Sequence, residues 1–145
     1  MRLILQRVRR AAVRVESSEV GRIGPGVVLL VGVFKGDDEA SAIRAADRLT
    51  TLRIFSDSAG KMNVSARDAG ASFLVVSQFT LAATLDRGRR PSFDAAAPAP
   101  VAEPIVELLA QALEEQGFPV ARGRFGALMQ VELVNDGPVT FVLDV

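Results

Sequence analysis

Ala71-Ser72-Phe73-Leu74-Val75-Val76-Ser77-Gln78-Phe79-Thr80-Leu81 is the stretch around which the rest of the chain can be read. Its first half is an unbroken apolar run of β-favouring residues, the pattern of a strand covered on both faces. Its second half turns polar at Ser77, Gln78 and Thr80, with Phe79 between them. Hydroxyl and amide groups at the mouth of a buried strand need partners, because each one left unpaired costs about 1–3 kcal/mol. Two readings satisfy that requirement. The groups pair with backbone where the strand becomes a loop, or they converge on a ligand at a pocket rim.

Composition narrows the chemistry. A length of 145 residues suits one domain spanning 1–145 and a sizeable core. Hydrophobic residues make up 49% and charged residues 23%, the balance of a soluble globular chain and not of a disordered one. No apolar run approaches the ~20 residues of a membrane helix. Met1 to Arg7 reads as a strand too short for a signal-peptide core, so a cytoplasmic location is the default expectation. The chain has no Cys and no His. That excludes thiol nucleophiles, disulfides, zinc sites built on Cys or His, and triads that use imidazole as base. Any catalysis must rest on carboxylates, hydroxyls, Lys or Arg, backbone groups or the substrate's own atoms, and no cofactor or metal is called for. The formal net charge is zero, so a polyanion would have to be held by local arginines.

Working outward, Leu3 to Val15 interleaves apolar residues with Arg7, Arg9, Arg10 and Arg14, as in a long half-exposed strand whose arginines form a solvated face. Glu16 to Glu19 is a turn and Val20 to Ile23 a return strand. After Gly24-Pro25-Gly26, the run Val27 to Phe34 reads as a central strand. Asp37, Asp38 and Glu39 supply helix-start residues, and Ala42, Ile43, Ala46, Leu49 and Leu52 recur at helical spacing. Leu52 to Phe55 is a short strand, Asp57 to Lys61 a turn, and Met62 to Ser65 an edge. Ala95 to Pro100 reads as a linker inside the domain. A second helix follows around Pro104, with Ile105, Leu108, Leu109 and Ala112 in phase, stopped by Gly117 and Pro119. Val120 to Arg124, Met129 to Leu133 and Val139 to Val145 read as strands. The expected fold is α+β: mostly antiparallel sheets, or a barrel-like pair of sheets, with two flanking helices.

Two polar segments stand apart. Asn135-Asp136-Gly137-Pro138 places Asp-Gly between two strands, a strong hairpin signal. It also suits a rigid loop whose carbonyls point outward. Asp86 to Phe93 carries Arg87, Arg89 and Arg90, read either as a solvated loop or as a phosphate contact.

Ser77-Gln78-Phe79-Thr80-Leu81 and Asn135-Asp136-Gly137-Pro138-Val139-Thr140 together resemble the two signature motifs of the D-aminoacyl-tRNA deacylases. Leu5-Gln6-Arg7-Val8, Leu52-Arg53-Ile54-Phe55, Gly60-Lys61-Met62-Asn63, Gly88-Arg89-Arg90-Pro91-Ser92-Phe93 and Gly123-Arg124-Phe125-Gly126-Ala127 are similar to the same family, so the likeness runs end to end. Departures are Ala82 and Ala83, where an aromatic is common, and Arg87, where Lys is frequent. The resemblance implies a homodimeric enzyme that hydrolyses the ester of D-aminoacyl-tRNA, with glycyl-tRNA as a second substrate. It assigns catalysis to Ser77, Gln78, Phe79 and Thr80, with backbone N–H groups around Gln78 and Phe79 as oxyanion donors. Gly137 and Pro138 would form a cis pair that enters the partner's site and holds the substrate amino group through backbone carbonyls. Phe125 and Met129 would line the pocket. A non-catalytic nucleic-acid module using Arg87, Arg89, Arg90, Arg122 and Arg124, and a structural domain with an ordinary Gly-Pro turn, are the competing readings.

Overall fold

A computed structural model describes residues 1–86 and 88–145; Arg87, one of the arginines named above, lies outside the described residues. The chain runs β1 (Arg2–Val15), β2 (Ser18–Ile23), β3 (Gly26–Gly32), α1 (Glu39–Thr51), β4 (Phe55–Ser56), β5 (Met62–Val64), β6 (Ser72–Ser77), a 3-10 turn (Phe79–Ala82), α2 (Ala99–Glu115), β7 (Val120–Arg122) and β8 (Met129–Asp144).

β1 is the hub. One of its edges takes β3 along Arg2–Val8 and then β2 along Ala11–Val15, while the other takes β8 over its whole length, all antiparallel. The sheet then continues β3-β6-β7 with both junctions parallel. Parallel neighbours need long crossovers, and α1 and α2 occur in those two connections. β2 curls back beside β7, so the sheet nearly closes on itself. The fold is therefore α+β with a barrel-like sheet and two helices, as expected, with a parallel centre inside an antiparallel frame.

The apolar run of β6 is buried on both faces because it divides two cores. Phe73 and Val75 face the helices and pack with Leu3, Leu5, Leu29, Leu49, Leu109 and Leu113. Leu74 and Val76 face the barrel interior with Val8, Val13, Ile23 and Val28. Each such side chain removed from water contributes about 1.5–3 kcal/mol. α1 starts at a reciprocal cap: the Asp38 carboxylate accepts from the Ser41 N–H at 2.9 Å, and the Ser41 hydroxyl takes the Asp38 N–H at 3.4 Å. The Ser41 N–H, joined by the Ser41 hydroxyl donating to the same carboxylate at 2.9 Å, holds the Asp38 carboxyl below the usual carboxylate range. Among the described residues, no helix is long and apolar enough to cross a membrane.

Several expectations shift. α2 begins at Ala99, which absorbs the end of the expected linker and leaves Pro104 inside the helix on its exposed side. The Pro98 carbonyl starts the helix by accepting from Val101 and Ala102, and burial of Ala102 and Ile105 holds its first turns. Leu52 caps α1 instead of opening a strand, leaving only Phe55–Ser56 to pair with Met62–Val64. Asn135-Asp136-Gly137-Pro138 does not reverse the chain. Residues on both sides of it pair antiparallel with β1, Val8 opposite Asn135 and Gln6 opposite Thr140, so Arg7 alone faces Asp136 to Val139. Local Asp-Gly chemistry favours a hairpin, but here a bulge lets one strand continue past an extruded loop.

Candidate active site

β6 ends against the sheet in a way that leaves polar backbone free. The Gln78 N–H donates to the Val31 carbonyl at 2.7 Å, continuing the β3–β6 ladder one step beyond Ser77. The 3-10 turn then closes through Leu81 N–H to Gln78 O at 3.1 Å and Ala83 N–H to Thr80 O at 3.1 Å. This close approach requires Gly32, since a Cβ there would lie 2.7 Å from the Leu81 Cβ. Among the described residues, the N–H groups of Phe79 and Thr80 have no acceptor. Of the N–H groups around Gln78 and Phe79, that of Gln78 is spent on Val31, whereas those of Phe79 and Thr80 open the turn. The Thr80 hydroxyl accepts from the Gln78 side-chain amide, which leaves its own proton available.

Beside this turn lies a cavity of about 290 Å³ lined by Val31, Val33, Ser77, Phe79, Ala102 and Phe125, among others. Its walls are almost wholly apolar, with the Ser77 hydroxyl as the polar side chain in the lining. Phe79 is 59% exposed at the mouth, its ring 4.9 Å from that of Phe93. Phe125 is among the residues lining this cavity, and Met129 is not. The Met129 sulfur stands 2.7 Å from the place a Cβ on Gly123 would occupy and receives the Arg124 N–H at 3.3 Å, and the side chain packs at the edge of the barrel core.

Gly137 and Pro138 are exposed, and the peptide between them is cis. The loop is tied down by residues on either side. The Asn135 side-chain amide donates to the Arg7 carbonyl at 2.9 Å and to the Val139 carbonyl at 3.1 Å. The Arg7 guanidinium donates to the Asp136 carbonyl at 3.2 Å and the Ile54 carbonyl at 2.7 Å, with the Asp136 carboxylate 3.4 Å away. Arg9 reaches the same carboxylate at 3.1 Å. Gly137 sits at φ +125, a conformation that L side chains rarely adopt, and a Cβ there would meet Val139 at 2.7 Å and Arg7 at 3.1 Å. Arg7 is only 8% exposed, so the expected solvated arginine face fails at this position. Sequence reasoning missed it because an alternating Arg on a strand reads as surface. The available signal was that Arg7 lies in one of the segments that carry the family likeness.

The two motifs lie far apart within one chain. Ser77 is level with Val31, Leu3 and Leu143 across the sheet, whereas the loop faces Arg7. That separates them by about 13 Å along the strands and about 14 Å across them.

Arg122, named in the nucleic-acid reading, is already engaged. Its guanidinium forks onto Glu114 at 2.6 and 2.8 Å and reaches Glu107 at 2.9 Å. Those carboxylates push the Arg122 pKa up, and Arg122 holds the Glu114 carboxyl down.

The fold is a barrel-like α+β sheet with an apolar cavity beside backbone N–H groups at a strand end, in a chain that has no His and no Cys. The sequence model of the D-Tyr-tRNA(Tyr) deacylase family matches residues 4–144, and the chain belongs to that family. A D-aminoacyl-tRNA deacylase of Thermomicrobium roseum is 56% identical over 144 residues, covering 99% of this chain and 94% of that protein. One of Pelobacter propionicus is 51% identical over 144 residues and 99% of both. The solved c-Myc DNA unwinding element binding protein superposes with a TM-score of 0.93 at 35% identity, covering 100% of this chain and 99% of that one.

Proposed function

We propose that the protein hydrolyses the ester joining a D-amino acid to the terminal ribose of tRNA, and that it does so as a homodimer in the cytoplasm. The observation that carries this reading is the pair of N–H groups, Phe79 and Thr80, without acceptors among the described residues at the mouth of an apolar cavity. Water attacks the ester carbonyl carbon, and the oxygen that gains charge is stabilised by those donors, an effect worth about 2.7–4 kcal/mol per donor in comparable sites. The carbon–oxygen bond to the ribose then breaks and the leaving oxygen takes a proton, with the neighbouring ribose hydroxyl as shuttle. Ser77 and Gln78 set the geometry of the turn, and Thr80 orients water or substrate. Phe79 and Phe125 provide the apolar walls against which the terminal nucleoside rests.

Handedness is read by Gly137 and Pro138 of a second copy, whose carbonyls hold the α-amino group while an L side chain collides with the main chain. Glycyl-tRNA, having no side chain, passes as a second substrate. Two observations support a partner copy. The loop cannot meet Ser77 to Thr80 of its own chain across the separation above, and β8 presents apolar residues beside it, Phe141 40% and Val142 62% exposed. The test is release of amino acid from D- and L-aminoacyl-tRNA, with sedimentation of the same sample. Rapid release of the D form alone from a dimer is expected. Equal cleavage of both forms, or full selectivity in a monomer, overturns the reading.

A further inference from the structure

Two stretches of unlike charge adjoin the residues that line the cavity. Along α2 and β7, Glu103 and Glu107 border an adjoining hollow with Arg122 and Arg124, and Arg122 is consumed by Glu107 and Glu114. Three carboxylates against two guanidinium groups leave this side negative. The acidic surface continues beyond α2, where Asp37, Asp38, Glu39 and Glu107 line a further groove. A phosphate chain laid over α2 would be repelled along its length.

The stretch joined to Phe79 through Phe93 is built differently. Thr84 and Ser92 exchange both backbone hydrogen bonds, at 2.8 and 3.0 Å, and close the loop between them. Phe93, the next residue, stacks on the cavity residue Phe79. Arg89 and Arg90 are exposed and lie three and two residues before Ser92, within about 10 Å of the bridge. Asp86 and Asp94 are the carboxylates of this segment. Among the described residues, no salt bridge engages Arg89 or Arg90. Paired guanidinium forks suit phosphate oxygens, and their charge is unspent.

We propose that Arg89 and Arg90 form the docking surface for the phosphate backbone of the tRNA acceptor end, so that the RNA reaches the cavity from the side of Arg89, Arg90 and Phe93 and not across α2. The inference rests on the deacylase reading and adds to it a direction of approach. It is tested with two substrates, a D-aminoacyl-tRNA and the matching D-aminoacyl-adenosine, which lacks the backbone. In the double variant Arg89→Ala with Arg90→Ala, KM for the tRNA should rise at least ~10-fold with kcat within about two-fold. The slope of log KM against log salt should flatten by about 1–2, and the adenosine ester should be cleaved as before. Arg89→Lys with Arg90→Lys should restore most of the KM, and Glu103→Gln should leave it within about two-fold. An unchanged KM in the alanine variant, an equal loss on both substrates, or a Glu103→Gln effect as large as the arginine effect overturns the proposal. Failure of the unaltered protein on both esters overturns the deacylase reading and this inference together.

Discussion

The strand end at Ser77–Thr80 and the loop at Asn135–Pro138 are held in place by opposite means. The first is held by main-chain bonds. A ladder bond to Val31 and two turn bonds position it, and no distant side chain is needed. The second is built almost entirely from side chains remote in sequence, with Arg7 reaching both Asp136 and Ile54 and Asn135 reaching back to Arg7. A site of the first kind tolerates loss of a side chain, because its donors are main-chain groups. A site of the second kind fails when one side chain is removed, because its carbonyls lose the scaffold that aims them.

Arg7→Met should therefore be the most damaging single change. It strips partners from the Ile54 and Asp136 carbonyls and should cost about 3 kcal/mol, read as a lower urea midpoint, together with loss of discrimination between D and L esters. Full selectivity in that variant would erase the contrast between the two regions. Gly137→Ala comes next. It should cost about 1–3 kcal/mol of backbone strain and lower D-ester turnover at least ~10-fold, measured by single-turnover deacylation. Thr80→Ala should reduce kcat by no more than about 10-fold, since the donors at that turn are backbone groups; a far larger loss would make the hydroxyl central to the chemistry. Phe93→Ala should raise KM about 2–5-fold by removing the ring that braces Phe79, an aromatic pair being worth ~0.5–1.5 kcal/mol.

The smallest effect belongs to a pair outside both regions. The Glu114 carboxyl is held below the ordinary range by Arg122, so its contribution is present at neutral pH and is lost as pH falls through the lowered value. Glu114→Gln should lower Tm slightly at pH 7, for an exposed pair worth about 0.2–1 kcal/mol. The difference should vanish at pH values below the carboxylate range in a thermal melt series.

Local signals were read correctly where local forces decide. The 3.6 spacing of Ala42, Ala46 and Leu49 is the buried stripe of α1, and the apolar run Phe73 to Val76 is a strand covered on both faces. They misled where a distant partner decides. Asp136-Gly137 has hairpin chemistry, yet β1 pairs with the chain on both sides of it and keeps the strand going. Pro104 looked like a helix start, yet burial of Ala102 and Ile105 holds a helix that began earlier.

The sequence by itself determined the lack of His and Cys, the two helices and the doubly buried strand, and the two motifs that mark the family, because composition and periodicity are properties of the chain alone. Tertiary structure decided that Arg7 is a buried clamp, that Phe79 and Thr80 carry the open donors instead of Gln78, and that the Gly-Pro loop stands away from its own chain's strand end. Each of these depends on which strand lies beside which, and pairing between residues more than a hundred positions apart leaves no local mark.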